Sequence, residues 1–565
     1  MKQQKWLLSI LSGLLLAMSW PFIGSLTPLI LIALVPLLIV EDDLFRSGKK
    51  SFWSAFALAY PAFLLFNILT TYWIYNVQEP LGTKLFSAGS AITLNAAFMT
   101  IAFSLFHVTR SRIGSKEGYI SFVLYWIAWE YMHLNWELSW PWLTFGNVYS
   151  IHPDWVQWYE YTGILGGSIL ILLSNLILFF AYKAFINGNR RKTIYYGASV
   201  LVIFIASYIY GISSLPTAAP NDDNIEIVLV QPNVDPYTEK FELASADVKL
   251  TDMLELAESK ITEQTKWVLF PETALQERTT LFPRADSLVL IGLWENDIEQ
   301  SNSIRIIREF LEYHPNLTLL FGLSSDRLQE KNEKLIPASR YIESLDVYYQ
   351  SYNAALVIAK DREVSFYHKS ELVPAVEFMP FQTLLQPLMD LAIDMGGTTG
   401  TLGTQEDQVP FYSLPDSLAI SPAICYESIY GEVNGEFVRN GAEILGVITN
   451  DGWWGDSPGY KQHVSYARLR AIETRKWIVR SANTGISGFI DPQGEVIQES
   501  EWWVEDCLVG SVYPNNIITF YAEHGDYLGR IASFLSIMLL IFTIVRILKQ
   551  RKEFSSTLVA NDGKA

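Results

Sequence analysis

The hydrophobic positions along the chain fall into two regimes. Near-continuous apolar runs occupy residues 6–22, 26–40, 52–75, 86–108, 119–135, 164–186 and 194–213, and one more lies at 530–548. Runs of about 17–25 apolar residues can cross a bilayer as helices, so eight spans are expected, the first two joined in a tight hairpin through Pro21 and Gly24. A cleaved signal peptide is the alternative for residues 1–22. Against it, the run leads directly into further apolar segments and no small-residue cleavage site follows. Between these regions the pattern changes. Pro216, Pro220, Asp222 and Asp223 mark a linker over residues 215–224. Short β-rich runs then appear at 225–230, 267–270, 317–321, 352–358, 364–367, 418–420 and 444–448. Segments of helical character at 243–264, 300–314, 427–440 and 461–477 lie between several of them. Alternating strands and helices predict a layered α/β domain. The expected organisation is a helical bundle over 1–214, the linker, an α/β domain over 225–525, a last span over 530–548 and a tail over 549–565.

Charge divides along the same lines. Residues 221–530 hold 48 Asp and Glu against 23 Lys and Arg, while the remainder holds 11 against 18. An acidic middle argues against nucleic-acid binding, which needs a positive surface to neutralise phosphates. The basic residues cluster as Lys2 and Lys5, Arg46 to Lys50, Arg110 to Lys116, Lys183 to Lys192, and Arg546 to Lys552. With eight spans all five clusters fall on one side, whereas the loops 76–85 and 136–163 carry almost no Lys or Arg. The positive-inside rule then puts both termini in the cytoplasm and the α/β domain across the membrane. The loop Trp136-Glu-Leu-Ser-Trp140-Pro-Trp142 reads equally as an interfacial aromatic belt or as one wall of a lipid-entry site.

Reactive side chains in layered α/β domains tend to sit just past strand ends. Glu272 follows the run 267–270, Lys369 follows 364–367, and Cys425 follows the strand ending near Ile424. A helix is expected to begin near Glu427, and a thiol at a helix N-terminus has its thiolate favoured by the helix dipole and free N–H groups. A thiol nucleophile needs a base for its proton and a donor for the oxyanion. Glu, Lys and Cys can divide those tasks without His; a Cys–His pair using His463 is the alternative, although no Asp is evident beside His463. The only other cysteine, Cys507, reads as structural. Two cysteines exclude a disulfide framework and allow at most one bridge. No Cys/His cluster has metal-ligand spacing and no glycine-rich loop suits a phosphate, so no metal or cofactor is expected.

Phe-Pro-Glu272, Tyr-His-Lys369 and Ile-Cys425-Tyr-Glu427, in that order through one domain, resemble the three signatures of the nitrilase superfamily. Asn450-Asp-Gly-Trp453-Trp454-Gly, Gln462-His463 and Arg480-Ser-Ala-Asn483 extend the match. With spans before and after the domain, nearly the whole chain resembles the apolipoprotein N-acyltransferase family of bacterial inner-membrane enzymes. The resemblance implies an αββα sandwich for residues 221–525. It implies a two-step transfer in which Cys425 takes an acyl chain from a phospholipid, Glu272 is the general base and Lys369 stabilises the oxyanion. The acceptor is the α-amino group of a diacylglyceryl-modified N-terminal cysteine on an apolipoprotein. The partners implied are thus a phospholipid, an apolipoprotein and the membrane, with the enzyme a monomer and its domain periplasmic. By motif position Glu377 matches a further family glutamate, Tyr426 and Glu427 flank the nucleophile, and Trp453 joins the supporting set. One position departs: where the family has a tryptophan after Gln-x-Asn, the segment Gln231-Pro-Asn233 is followed by Phe241. Residues 378–400 are apolar for an exported loop, and read either as an arm gating lipid entry or as a packed amphipathic helix. The competing functions are a membrane-tethered amidohydrolase of the same superfamily using water as acceptor, and a non-enzymatic scaffold or transporter.

Overall fold

The computed structural model describes residues 2–213, 224–238, 246–281, 288–343, 345–381, 401–413 and 417–562. The expected linker (except Asn224), Phe241 and most of the 378–400 arm lie outside these. The N-terminal part is a bundle of α1 (Lys2–Ser19), α2 (Val35–Arg46), α3 (Phe52–Thr71), α4 (Leu81–Arg112), α5 (Ser115–Leu134), α6 (Tyr159–Ile186) and α7 (Arg190–Ser213). Among the described residues, five helices are long and apolar enough to cross a membrane: Phe52–Asn76, Leu81–Arg112, Tyr159–Ile186, Arg190–Ser213 and Tyr527–Glu553. The expected span at 26–40 is not one helix. A 3-10 turn, Thr27–Leu31, is separated from α2, with Pro28 and Pro36 each near the start of its own piece. Proline lacks the N–H that would continue a helix and is tolerated in the first turn. Asn175 of α6 closes the break: its Oδ1 accepts from Leu34 N and its Nδ2 donates to Ile30 O, each at 2.8 Å.

The α/β domain is two sheets packed face to face. The first contains β1 (Ile225–Gln231) and β2 (Thr265–Leu269); the pair β3 (Arg278–Leu281) and β4 (Leu288–Ile291) stands apart from it. It continues with β5 (Leu293–Trp294), β6 (Thr318–Leu328), β7 (Arg340–Ile342), β8 (Val347–Ala359) and β9 (Ser365–His368). The second sheet runs in chain order: β10 (Phe411–Tyr412), β11 (Ala419–Ile424), β12 (Ile444–Thr449), β13 (Ile478–Ala482), β14 (Gly488–Ile490) and β15 (Val496–Glu499). The chain then returns through β16 (Asp506–Val512) to the first sheet, whose order is β16-β1-β2-β6-β8-β7, with β5 beside β6 and β9 beside β8. Strand period two explains the layering. Ile227 and Leu229 of β1, with Trp267 and Leu269 of β2, face the second sheet. Their neighbours Val228, Val230, Val268 and Phe270 face the outer helices α8 (Ala246–Glu258) and α9 (Asn302–Tyr313).

The second sheet is covered by α10 (Gly431–Arg439) and α11 (Pro458–Thr474), and α11 rests on the bundle. Gln462 of α11 accepts from Trp142 Nε1 at 2.7 Å and donates to Pro21 O at 3.0 Å; Tyr466 OH donates to Trp142 O at 3.0 Å. Trp142 therefore packs between domain and bundle, against Trp73 and Trp454, and with Trp140 of the same loop it also lines the cavity described below. Gly163, in the first turns of α6, has φ +58°, and a Cβ there would lie 2.3 Å from the ring of Tyr521 on α12 (Phe520–His524). Only glycine admits both that backbone and that approach. The chain ends in α13 (Tyr527–Asp562), which packs along α5; the expected tail is helical to Asp562.

Candidate active site

Three strand ends converge above the bundle. Glu272 lies three residues past β2, Lys369 directly follows β9, and Cys425 directly follows β11. All three line one cavity of about 390 Å³. Helix does not begin at Glu427 as expected: a 3-10 helix, Cys425–Ile429, starts at the cysteine itself and precedes α10. Cys425 has a left-handed φ of +52°, a conformation that costs a β-carbon residue energy and must be held by its surroundings. The Glu427 carboxylate does the holding. It accepts from Ile424 N at 2.6 Å on one oxygen, and from Ser370 N at 2.9 Å and Tyr367 OH at 3.0 Å on the other. One buried carboxylate thus ties the turn before Cys425 to the segment after Lys369.

A second set of bonds orients the charges. Asn353 Nδ2, from the middle of β8, donates to Glu272 Oε1 and to Glu377 Oε1, both at 2.8 Å. Lys369 Nζ donates to Glu377 Oε1 at 2.9 Å and lies 3.8 Å from Glu272 Oε1. Val373 N donates to the other Glu377 oxygen at 2.8 Å. Glu272 Oε2 is buried and has no hydrogen-bond partner among the described residues. Burial alone would lower the Lys369 pKa, but Glu377, Glu272 and Cys425 together hold it well above the usual lysine range. Burial pushes the Cys425 thiol up; the Glu272 carboxylate adds to that and Lys369 opposes it. The resting arrangement is a neutral thiol beside a protonated lysine and a carboxylate with one oxygen to spare. Such a set can take a proton from sulfur and hold negative charge on an adjacent oxygen.

Trp453 lines the same cavity, packed edge-on against Tyr237. Tyr426 and Tyr430 reach the bundle through Ser139, bonding its carbonyl at 2.9 Å and its hydroxyl at 2.8 Å. His463 corrects an expectation. It does have an acidic partner, since its Nδ1 meets Asp451 Oδ1 at 2.8 Å, and Arg480 donates to Asp451 Oδ2 at 2.6 Å. Burial would raise the Asp451 pKa, but Arg480 and His463 hold it below the carboxylate range. The other ring nitrogen of His463 faces Ser428 Oγ at 3.3 Å rather than the thiol. Cys425 and Cys507 are both free, with no bridge between them. Asn353 was not singled out from sequence; the signal was a lone amide inside the apolar run of β8. Among the described residues no group of three His, Cys, Asp or Glu could hold a metal ion.

A carbon–nitrogen hydrolase family model matches residues 249–521, and an apolipoprotein N-acyltransferase N-terminal domain model matches residues 12–177. The chain is 28% identical to the apolipoprotein N-acyltransferase of Chlorobaculum tepidum, over 95% of this chain and 96% of that one. It is 26% identical to the proteins of that name from Geobacter metallireducens, over 93% and 92% of the two chains, and Haemophilus influenzae, over 92% and 91%. The chain belongs to the apolipoprotein N-acyltransferase family. Membership accounts for the cavity's unusual wall. An amidase-like α/β site would need only the sandwich, whereas here one side of the cavity is α4. Phe86, Ser90, Ala91, Leu94 and Phe98 recur at helical spacing along it.

Proposed function

We infer that this protein is a membrane acyltransferase that moves an acyl chain from a phospholipid to the α-amino group of the diacylglyceryl-modified N-terminal cysteine of apolipoproteins. The observation that carries this reading is the single cavity in which Glu272, Lys369 and Cys425 share walls with the apolar face of α4. A hydrolase acting on small soluble amides has no use for such a wall; an acyl chain does.

In the first step Glu272, through its unpartnered Oε2, takes the thiol proton as the sulfur attacks the ester carbonyl. The oxyanion is met by the Lys369 ammonium, which spends one proton on Glu377 and keeps others available, and by backbone N–H groups at the start of the Cys425–Ile429 turn. The carbon–oxygen bond breaks, Glu272 returns its proton to the departing glyceryl oxygen, and a thioester remains on Cys425. In the second step the neutral amine of the acceptor attacks that thioester. Glu272 takes the amine proton and passes it to the leaving sulfur, so the enzyme ends as it began. Glu377 and Asn353 position the lysine and the base; Glu427 holds the strained turn. Water excluded from a buried site favours the amine over hydrolysis. The basic loops favour a bundle with both termini cytoplasmic, eight crossings and a periplasmic domain, and the family resemblance implies a monomer.

The test is mass spectrometry of the purified protein after exposure to phospholipid. A hydroxylamine-sensitive acyl mass is expected on the peptide containing Cys425 and none on Cys425→Ser. An unmodified Cys425, with lipoproteins still N-acylated by the Ser variant, rejects the mechanism.

A further inference from the structure

One polar group on the bundle side of the cavity belongs to none of the chemistry above. Asn95 lies on the α4 face that lines the cavity, among Ala91, Leu94 and Phe98, and is 8% exposed. Its Oδ1 faces His133 Nε2 at 2.9 Å, and His133 Nδ1 accepts from Trp136 Nε1 at 2.9 Å. An indole nitrogen can only donate. His133 Nδ1 must therefore carry no proton, and the ring proton sits on Nε2, donating to Asn95 Oδ1. That fixes the amide. Its oxygen is spent on His133 and its Nδ2, with two N–H groups, is left over. No hydrogen bond within the described residues uses it. The His133 ring has no freedom to change the assignment, being stacked on Trp129 at 5.4 Å and met edge-on by Phe98 at 5.7 Å.

An Asn–His contact between helices is common glue, but glue needs only the oxygen half of this amide. A polar side chain inside a membrane bundle that also borders an apolar cavity is a binding-site candidate by default. His133 is in the last turn of α5 and Trp136 just beyond it, at the end of the bundle on which the α/β domain is seated. Asn95 therefore sits level with the domain-facing end of α5, midway along α4, in the same cavity as Cys425.

We propose that Asn95, its amide turned by the Trp136–His133 pair, donates a hydrogen bond to the non-reacting ester carbonyl of the phospholipid donor. It is a specificity-determining residue that registers a diacyl lipid so that the other ester meets Cys425. The proposal rests on the acyl-transfer reading and can fail without it.

The test compares phosphatidylethanolamines in mixed micelles with the full-length protein, following acylation of Cys425 by mass spectrometry. One probe carries both esters; two others replace either ester by an ether, which keeps the chain and removes one carbonyl. The ether lipid that still acylates Cys425 retains the reacting ester. In the wild type its half-saturating concentration should be about five- to tenfold above that of the diester, the scale of one neutral hydrogen bond. Asn95→Leu and His133→Phe should raise the diester value by the same factor and leave the ether value unchanged. Iodoacetamide alkylation of Cys425 at the wild-type rate verifies that the site is intact in each variant. Equal half-saturation for diester and ether in the wild type overturns the proposal without needing any variant to fold. So does a loss in Asn95→Leu that is the same on both lipids. No acylation by any probe overturns the acyl-transfer reading, and this inference with it.

Discussion

Both halves of the molecule bury a cluster of charges, and the two clusters are built differently. At the end of the bundle away from the α/β domain, Glu41 meets His107 Nδ1 at 2.8 Å through one oxygen and Arg110 through the other. Asp42 accepts from Arg110 and from Lys183 Nζ, the latter at 3.1 Å, on one oxygen, and from Arg46 Nε at 2.8 Å on the other. Every carboxylate oxygen there has a cationic or imidazole partner. In the α/β domain the pair Glu272 and Glu377 shares one lysine and one amide, and Glu272 Oε2 has no partner among the described residues. A buried carboxylate oxygen without a partner costs stability that a saturated one does not. The first cluster therefore reads as a fastening of α2 to α4 and α6. The second keeps an unmet acceptor beside a thiol, which is what a proton-transfer step requires. Arg110 Nε in the first cluster and the Glu130 and Glu473 Oε2 atoms elsewhere are also buried without a partner among the described residues, so what separates the chemical site from the structural one is an unmet carboxylate oxygen in the same cavity as a thiol.

If that distinction holds, the two clusters should answer mutation in opposite currencies. Glu272→Gln keeps the side-chain volume and removes the acceptor. Single-turnover acylation of Cys425 is expected to fall about 10²- to 10⁴-fold, with stability within about 1 kcal/mol of wild type. Acylation reduced less than tenfold would return Oε2 to the status of an incidental orphan. Arg110→Met leaves Glu41 and Asp42 buried and short of a partner, and breaking a buried pair costs about 3–5 kcal/mol. Unfolding in detergent should register that loss, while Cys425 in the surviving folded protein is acylated at the wild-type rate per molecule. A stable Arg110→Met protein with slowed acylation would merge the two clusters into one system.

The positions of Glu272, Lys369 and Cys425 after β2, β9 and β11 were legible because strand alternation in the sequence stops where the polar residues begin. The α/β layering was legible for the same reason. The break at 26–40 was not, because a hydropathy window averages over Pro28 and Pro36, and what makes two short pieces tolerable is Asn175, far along the chain. The Asp451–His463 pair was missed because it joins the end of β12 to the middle of α11, a meeting set by the sheet-to-helix crossing and not by spacing. Asn353 was overlooked for a related reason: an amide in a strand acquires meaning only when two carboxylates from other segments arrive at it. The Trp136–Trp142 loop read as a lipid-facing belt or a lipid-entry wall. Only the seating of α11 on the bundle shows why Trp142 is buried.

The smallest expected effect probes the chemical cluster at rest. Burial raises the Cys425 thiol above its ordinary range, with Glu272 pushing the same way and Lys369 pulling against them. Iodoacetamide reacts with the thiolate, so alkylation should stay slow through the pH range around 8.5 in which a free thiol titrates. It should climb only at more alkaline pH. Glu272→Gln removes a negative neighbour and should move the midpoint of that climb downward, while Lys369→Met should move it upward; each unit of displacement is about tenfold in rate at fixed pH. The sign for stability is the same. A thiol whose folded value is raised contributes stability that is complete below the unfolded value near 8.5. That contribution is lost as pH rises toward the folded value, because the unfolded chain releases its proton first. Cys425→Ala should therefore flatten the alkaline limb of the stability curve, and Glu272→Gln should do so in part. A wild-type thiol whose alkylation has already climbed to its plateau below neutral pH, well under the free value near 8.5, would mean that the nucleophile rests as an anion, leaving Glu272 no proton to take in the first step.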